Sequence, residues 1–385
     1  MIERQIKAEF DRVLAEYPVV TLVGPRQAGK TTLARSYTDY DYVNLELPEN
    51  RDHAREDPKG FLQQHSGKVI FDEIQRVPEL LSYVQVRVDE RGRNGEIILT
   101  GSHQPELKSS ISQSLAGRTA LLHLLPFSIA ELSAAGTHFD RFEQYVCSGF
   151  LPRVYDQHQR PYQAYSNYYQ TYVERDVKQL INLKDAALFE KFMKLLAGRV
   201  GQLSDYSALA NDVGVDAKTI KHWLAILEAS FIIFKLPPFF ENVGKRVIKS
   251  PKYYFTEIGL LAFLLGLEDP SHVSRDPLVG SIFENLIVIE CLKSCYNQGR
   301  PSNLYFYRDS NRNEVDIVVD QGPRAKLIEI KAAATYQPHF FKSVQQLAAA
   351  MRKTTESYLI YNGDPRTFSD DRTALRFDQV DVVFA

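Results

Sequence analysis

The chain has 385 residues, of which 44% are hydrophobic and 24% are charged, and its formal net charge at pH 7 is −2. This length exceeds one ordinary domain core, so two or three domains are expected, and the composition is typical of a globular protein. The small net charge excludes a basic field over the whole molecule, so any nucleic-acid site must be a local patch.

The chain carries signals that predict a soluble, cytoplasmic protein with no membrane partner. Its N-terminus is charged and lacks the apolar centre of a signal peptide. The longest apolar run, residues 258–267, is far shorter than a bilayer span. The three cysteines, Cys147, Cys291 and Cys295, provide no disulfide framework, which favours a reducing compartment.

The first predicted elements are an amphipathic helix over residues 3–16 and a buried strand over residues 19–23. The strand leads into a loop with the pattern G-x-x-x-x-G-K-T, which is typical of nucleoside triphosphatases. The residues predicted to bind nucleotide are Gly24, Pro25, Arg26, Gln27, Ala28, Gly29, Lys30, Thr31 and Thr32. Backbone N–H groups of the loop and of the following helix attract phosphates. Lys30 is expected to contact the β- and γ-phosphates of ATP, and Thr31 is expected to bind Mg²⁺.

Further strands are predicted at residues 42–45 and 68–71, and the second of them ends in Asp72 and Glu73. An apolar strand that ends in Asp-Glu downstream of a phosphate loop matches this ATPase class. Asp72 is predicted to hold Mg²⁺, directly or through water, and Glu73 to orient and deprotonate the attacking water. The alternative, two acids that begin a solvated turn, is less consistent with the preceding phosphate loop.

Two more predicted strands are adjacent to candidate residues of the ATP site. The strand at residues 96–99 ends in Thr100 and Ser102, and parallel sheets place ligand chemistry at the carboxyl ends of their strands. Either residue could sense the γ-phosphate or its water, and capping of the next helix is an equal alternative. Arg118 precedes a strand at residues 120–125 and is a candidate to neutralise transition-state charge, in its own site or a neighbour's, with a plain surface position as the alternative.

These motifs together resemble the AAA-type ATPases, widespread in bacteria and archaea, that carry a C-terminal domain of unknown function. The motifs are GPRQAGKTTL at residues 24–33, FDEIQR at 71–76, LTGS at 99–102 and LAGR at 115–118. Residues 148–152, 172–176, 249–255 and 280–285 are similar to later landmarks of that family, which often has Asp where this chain has Glu257. The resemblance implies Mg²⁺-dependent ATP hydrolysis on an AAA-type fold.

The middle of the chain is predicted to be helical and then to form a winged-helix-like module. Tyrosines recur at intervals of three and four from Tyr162 to Tyr172, a stripe that more often packs into a core than stacks bases. Residues 204–236 predict a helix capped by Ser204, a turn at Gly214, a helix capped by Asp216 and a strand, the order of a winged helix-turn-helix.

Basic residues on this module could contact the phosphates of DNA. They are Lys218, Lys221, His222, Lys245, Arg246, Lys249 and Lys252. ATPases also use such modules as lids or protein-docking domains, so DNA and a protein remain equal alternatives as the partner.

The last part of the chain contains a second candidate site. Two strands around Gly322 and Pro323 predict a hairpin in which paired residue numbers sum to 645, so that Asp316 lies opposite Glu329 with Lys331 on the same face. Two carboxylates could hold a second divalent cation beside the lysine, although a structural salt-bridge cluster uses the same residue types. With Glu284 on a preceding helix, the set resembles the PD-(D/E)XK nuclease superfamily.

We therefore predict an α/β fold: an AAA-type P-loop parallel sheet with helices on both faces, a helical and winged-helix region, and a small α/β nuclease-like domain. The predicted boundaries are 1–135, 136–200, 201–265 and 266–385. The leading function is Mg²⁺-dependent ATP hydrolysis that drives or switches the later domains. The alternatives are an ATP-regulated, metal-dependent nuclease acting on DNA or RNA, and a non-enzymatic, nucleotide-switched regulator that binds a protein or forms an oligomer.

Overall fold

A computed structural model describes the chain over residues 2–102, 111, 113–177, 186–240, 249–368 and 371–385, with the backbone alone at 174–177. The chain divides into two compact units. The first unit comprises Met1–Phe127, Ala229–Phe231 and Tyr296–Arg300, and the second comprises Ser128–Glu228, Ile232–Cys295 and Pro301–Ala385. The four predicted domains subdivide the chain more finely than this, and they remain predictions.

The first unit is built on a five-stranded parallel sheet with the strand order β2-β3-β4-β1-β5. Its strands are β1 (Val19–Gly24), β2 (Asp41–Asn44), β3 (Val69–Asp72), β4 (Ile97–Ser102) and β5 (Thr119–His123). Its helices are α1 (Lys7–Glu16), α2 (Lys30–Ala34), α3 (Pro48–Glu56), α4 (Pro58–Gln64) and α5 (Leu80–Arg91), with a 3₁₀ turn at Ile74–Arg76. The predicted fold class is confirmed.

Alternate residues of the strands pack into two separate cores, one on each face of the sheet. Val20 of β1 packs with side chains from α1 and α2, whereas Val19 packs with side chains from α3, α4 and α5. Every residue of β1, β3 and β4 is buried. Helices on both faces explain why these strands read as continuous apolar runs in the sequence.

Most of the helices in the described part of the chain lie wholly or mainly in the second unit. They are α6 (Ile129–Ala134), α7 (Phe142–Ser148), α8 (Pro152–Asp156), α9 (Pro161–Tyr168), a π-helical segment (Tyr169–Val177), α10 (Ala186–Ala197), α11 (Tyr206–Val213), α12 (Ala217–Ala229), α13 (Ile258–Leu265), α14 (Pro270–Arg275), α15 (Val279–Asn297) and α16 (Lys342–Ala350). In the tyrosine stripe, Tyr165, Tyr169 and Tyr172 are buried, as the core interpretation predicts, while Tyr162 is exposed. Within the described residues, no helix combines the length and the apolar character needed to cross a membrane.

The predicted helix-turn-helix order is present. α11 and α12 are joined through Gly214, which has a φ of 96°, and they are followed by an antiparallel pair, β6 (Ile233–Leu236) and β7 (Lys252–Phe255). Asp216 caps α12 as predicted, through the N–H of Thr219 at 2.7 Å. The cap predicted for α11 is wrong by one residue, because Asp205 accepts the first N–H groups of that helix.

A six-stranded mixed sheet with the order β12-β13-β11-β10-β9-β8 completes the second unit. Its strands are β8 (Leu304–Arg308), β9 (Glu314–Gln321), β10 (Arg324–Lys331), β11 (Thr354–Tyr361), β12 (Arg366–Thr367) and β13 (Arg372–Arg376), with 3₁₀ turns at Pro338–Phe341 and Val380–Phe384. β9 and β10 pair with Arg324 opposite Gln321 and Ile328 opposite Ile317. This is the predicted register as far as the paired residues extend, and the predicted pair of Asp316 and Glu329 lies one step beyond them.

Candidate functional site

The phosphate loop connects β1 to α2, as its sequence pattern predicts. Gln27 and Gly29 both adopt positive φ angles, 62° and 93°, so the loop turns through conformations that L residues seldom adopt. A Cβ atom at Gly24 would lie 2.0 Å from the carbonyl oxygen of Leu124. Glycine at position 24 therefore permits the close approach of the neighbouring chain, and Gly29 permits the turn.

Lys30 begins α2 and is 5% exposed. Its Nζ donates hydrogen bonds to the carbonyl oxygens of Gly24 at 3.0 Å and Pro25 at 2.7 Å. Burial lowers the pKa of Lys30 to about 8, although the carboxylates of Glu73 and Asp72 oppose that shift. The ammonium group thus lies within the loop that is predicted to bind phosphates.

Asp72, at the end of β3, accepts hydrogen bonds from three hydroxyl groups. Thr31 Oγ1 lies 3.1 and 3.0 Å from its two oxygens, and Tyr42 OH lies 2.7 Å from Oδ2. Thr100 Oγ1 donates to Oδ1. A hydroxyl beside a carboxylate is an oxygen donor set of the kind that Mg²⁺ prefers, so Thr31 and Asp72 fit the predicted metal role.

Glu73 follows directly and has a positive φ of 60°. Its Oε2 accepts a hydrogen bond from Ser102 Oγ at 3.2 Å and another from Gln75, whose Nε2 also lies 3.0 Å from Ser102 Oγ. The backbone N–H of Glu73 contacts Thr100 Oγ1 at 3.3 Å. A non-glycine residue held in this conformation is strained, and such strain is common where a side chain must be aimed at a ligand.

The two predicted sensor residues lie at this site. In the register of β1 and β4, Leu22 pairs with Thr100 and Gly24 pairs with Ser102. Thr100 contacts the metal candidate Asp72, and Ser102 contacts the catalytic candidate Glu73. Tyr42 and Gln75 had no predicted role, because Tyr42 lies outside the motifs and Gln75, although it lies within FDEIQR, is neither the acid nor the hydroxyl residue that the phosphate chemistry requires.

Arg118 lies away from this site. Thr119 pairs with Val19 at the start of β1, so Arg118 is at the amino edge of the parallel sheet, whereas the phosphate loop follows the carboxyl edge. Its guanidinium pairs with Asp89 at 2.5 Å on the surface of the same unit. The expectation that Arg118 acts in its own site is wrong, because parallel strands put residues that precede and follow them at opposite edges.

The second unit contains the predicted C-terminal cluster together with a lysine that the sequence analysis assigned elsewhere. Glu284 Oε1, on α15, accepts hydrogen bonds from Lys252 Nζ at 2.9 Å and Tyr254 OH at 2.5 Å. Lys252 Nζ also lies 2.6 Å from Glu314. Lys252 is 3% exposed, so its predicted role as a DNA-phosphate contact is wrong.

The facing carboxylates of the hairpin repel one another. Burial, and then Glu329 and Glu284, raise the pKa of Asp316 well above its usual range. Burial also raises the pKa of Glu329, although Lys331, with Nζ 2.5 Å from Glu329 Oε1, opposes the shift. Among the described residues, no group of three or more His, Cys, Asp or Glu side chains is arranged to hold a metal ion.

The remaining basic residues of the winged-helix-like module divide by position. Lys218, Lys221 and His222 are exposed on α12, and Lys249 is exposed before β7. Lys245 and Arg246 lie outside the described residues. Two exposed lysines and an exposed histidine on α12 are compatible with a phosphate contact, and DNA binding stays a prediction.

Three family models match the chain in succession. An AAA domain matches residues 16–133, a domain of unknown function (DUF8612) matches residues 139–271, and a second domain of unknown function (DUF4143) matches residues 279–380. The AAA match covers the parallel sheet of the first unit, and the DUF4143 match covers the six-stranded sheet of the second.

The chain is also similar to uncharacterized bacterial proteins over most of its length. Rv2008c from Mycobacterium tuberculosis and Mb2031c from Mycobacterium bovis are each 32% identical over 391 residues, which cover 99% of this chain and 85% of each relative. A protein from Haemophilus influenzae is 25% identical over 316 residues, 72% of this chain and 75% of its own.

Two solved structures show a distant likeness to this chain. One is a signal transduction ATPase with numerous domains (STAND) protein with a tetratricopeptide repeat sensor from Pyrococcus horikoshii, with a TM-score of 0.25 and 13% identity over 77% of this chain and 47% of that one. Protein VC1899 from Vibrio cholerae has a TM-score of 0.21 and 11% identity over 95% of this chain and 96% of that one.

Proposed function

This chain belongs to the family of the mycobacterial protein Rv2008c and contains an AAA domain, and from that premise we propose that it binds ATP with Mg²⁺ and hydrolyses it to change the arrangement of its later domains. The proposal depends on one observation: side chains from three separate segments of the chain are hydrogen-bonded to one another at one edge of the sheet. Thr31 after β1 and Thr100 on β4 both donate to Asp72 at the end of β3.

Each residue has a role that follows from its position. The N–H groups of the loop and Lys30 bind the phosphates of ATP, and Thr31 and Asp72 would hold Mg²⁺. Mg²⁺, when bound, neutralises charge that develops on the phosphate oxygens. Glu73 accepts a proton from water as the water oxygen bonds to the γ-phosphorus and the bond from that phosphorus to ADP breaks.

Measurement of phosphate release tests this proposal. We expect Lys30→Ala to lower ATP hydrolysis by at least about 10-fold, because the variant loses a buried positive charge at the phosphates. Lys59→Ala, at an exposed lysine of the same unit, is the matched control and should hydrolyse ATP as the parent does. Undiminished release by Lys30→Ala would contradict the proposal. Negligible release by the parent, with nucleotide-dependent oligomer size, would favour the non-enzymatic regulator instead.

A second candidate function is ATP-regulated cleavage of DNA or RNA by the C-terminal cluster. The pairing of β9 and β10 runs to Ile328 opposite Ile317, and one further step would put Asp316 opposite Glu329. Among the described residues, Glu329 Oε2 is buried with no hydrogen-bond partner. An orphaned carboxylate oxygen is an available ligand for a second divalent cation. The geometry of the cluster supports the nuclease candidate. The ion pair between Lys252 and Glu284 in the same cluster is evidence against it.

Incubation of the protein with DNA or RNA, ATP and Mg²⁺ or Mn²⁺ tests the nuclease candidate. If the cluster cleaves nucleic acid, Lys331→Ala should lower the rate by about 100-fold or more, because the developing charge loses its nearest cation. Lys326→Ala on the same strand is the control, since Lys326 bonds to the Val383 carbonyl instead. Equal cleavage by the parent and Lys331→Ala would assign the cutting to a contaminant or another site.

A further inference from the structure

The segment before α1 contributes a residue to the phosphate loop that no motif marks. Arg4 is 8% exposed, and its two terminal nitrogens donate to the carbonyl oxygens of Ala28 and Leu125, each at 2.7 Å. Its guanidinium carbon lies 5.0 Å from the centre of the Phe127 ring. Arg4 therefore ties the phosphate loop to the chain that continues from β5.

The position of Arg4 is fixed by the packing of α1. Ile6 and Phe10 lie in the same core cluster as Leu33 and Ala34 of α2, which follows the phosphate loop. The anchored Ile6 is only two residues from Arg4. The planar guanidinium of Arg4 is bound by two carbonyl groups and loses little conformational entropy when it forms these two hydrogen bonds. It therefore restrains the Ala28 carbonyl effectively.

Restraint of this carbonyl also orients the neighbouring N–H group. The Ala28 carbonyl and the Gly29 N–H belong to one planar trans peptide and point in opposite directions. Because the carbonyl faces Arg4, the Gly29 N–H is directed away from Arg4. Gly29 has a φ of 93° and is the glycine before Lys30, within the part of the loop whose N–H groups bind phosphate in this motif.

We propose that Arg4 is a positioning residue of the phosphate site, which holds the Ala28–Gly29 peptide so that the Gly29 N–H faces the phosphates of a nucleoside triphosphate. The inference rests on the proposed function, because the loop must bind nucleotide for this orientation to matter. Arg4 acts through the peptide and does not touch the substrate. Its effect is therefore on phosphate affinity.

Displacement of a fluorescent ATP analogue tests the proposal with three variants. Arg4→Met should raise the Kd for ATP by about 10-fold or more, and Arg4→Lys, which keeps the charge but not the two-pronged geometry, should give an intermediate value. Arg12→Met is the matched control, because Arg12 lies exposed on α1 and pairs with Glu9 at 3.0 Å. Inorganic tripolyphosphate should lose affinity by the same factor as ATP, since the loop binds the phosphates alone.

A melting curve without nucleotide separates positioning from stability. If Arg4 only stabilises the fold, the variants melt at lower temperature while the Kd of the folded protein stays within about twofold of the parent value, and the positioning role is overturned. That result leaves the ATPase proposal intact if the parent hydrolyses ATP. If Arg4→Met does not fold, Arg4→Lys decides by the same criterion. A parent that binds neither ATP nor tripolyphosphate overturns both proposals.

Discussion

Replacing Glu73 by Gln is expected to lower the kcat for ATP hydrolysis by about 100-fold or more and to leave the Kd for ATP within about threefold of the parent value. The amide cannot accept the proton of the attacking water. It can still accept the hydrogen bond that Ser102 donates to the carboxylate at 3.2 Å, so the geometry around the strained residue is retained. Single-turnover hydrolysis measures the expected loss of rate, and equilibrium nucleotide binding measures the Kd for ATP.

The control for this change is Glu56→Gln, at an exposed glutamate on α3 of the same unit. It removes the same charge from the first unit and should leave both constants unchanged. A Glu73→Gln protein that hydrolyses ATP at the parent rate would remove Glu73 from the mechanism. Parallel loss of binding and hydrolysis would assign Glu73 to the shape of the site instead of to proton transfer.

The phosphate site was predictable where its residues follow strands of a parallel sheet. Lys30, Asp72 and Thr100 each lie at or just beyond the carboxyl end of a strand, and that edge is common to all strands of the sheet. Arg118 precedes β5, so the same rule places it at the opposite edge. The position of a residue before or after its strand therefore distinguishes Lys30, Asp72 and Thr100 from Arg118.

Other parts of the site depend on contacts between distant segments. Arg4 contacts the phosphate loop because α1 packs within the core of the first unit. Tyr42 contacts Asp72 because β2 pairs with β3. A residue pattern carries no signal for such contacts. The hairpin of β9 and β10 was predictable to the residue, because a tight turn fixes the register of the strands it joins.

A lysine in the sequence is usually exposed, and Lys252 is an exception because it is paired with carboxylates. With Lys249 it belongs to a basic stretch that suggested a phosphate-binding wing. In the structure Lys249 is exposed, whereas Lys252 is buried between Glu284 and Glu314. The first residue of β7 is thereby tied to α15 and β9 within the second unit.

Replacing Lys252 by Met is expected to lower the free energy of unfolding by about 2–4 kcal/mol. The change leaves Glu284 and Glu314, whose side chains are 18% and 26% exposed, without the ammonium group that lies 2.9 and 2.6 Å from them. Urea unfolding of the intact chain measures the difference. Lys249→Met, three residues earlier, removes the same charge from an exposed position and should change stability by less than about 0.5 kcal/mol.

The stability from Lys252 should depend on pH in a defined direction. Burial lowers its pKa, but Glu284, Asp316 and Glu314 outweigh burial, so the pKa of Lys252 is raised above the usual 10.5. A lysine whose pKa is raised by folding contributes its full stabilisation below the unfolded value, so the contribution is complete at pH 7. The contribution is lost as the pH rises through the folded value, so the difference between the parent and Lys252→Met should narrow only in strongly alkaline solution.

A second substitution distinguishes charge compensation from simple packing. Glu284→Gln in the Lys252→Met background removes one uncompensated carboxylate while it preserves the shape of the side chain. We expect this double variant to recover at least about 1 kcal/mol relative to Lys252→Met alone. Absence of any recovery would mean that Glu284 does not need the charge of Lys252 and that charge compensation does not explain the loss of stability in Lys252→Met.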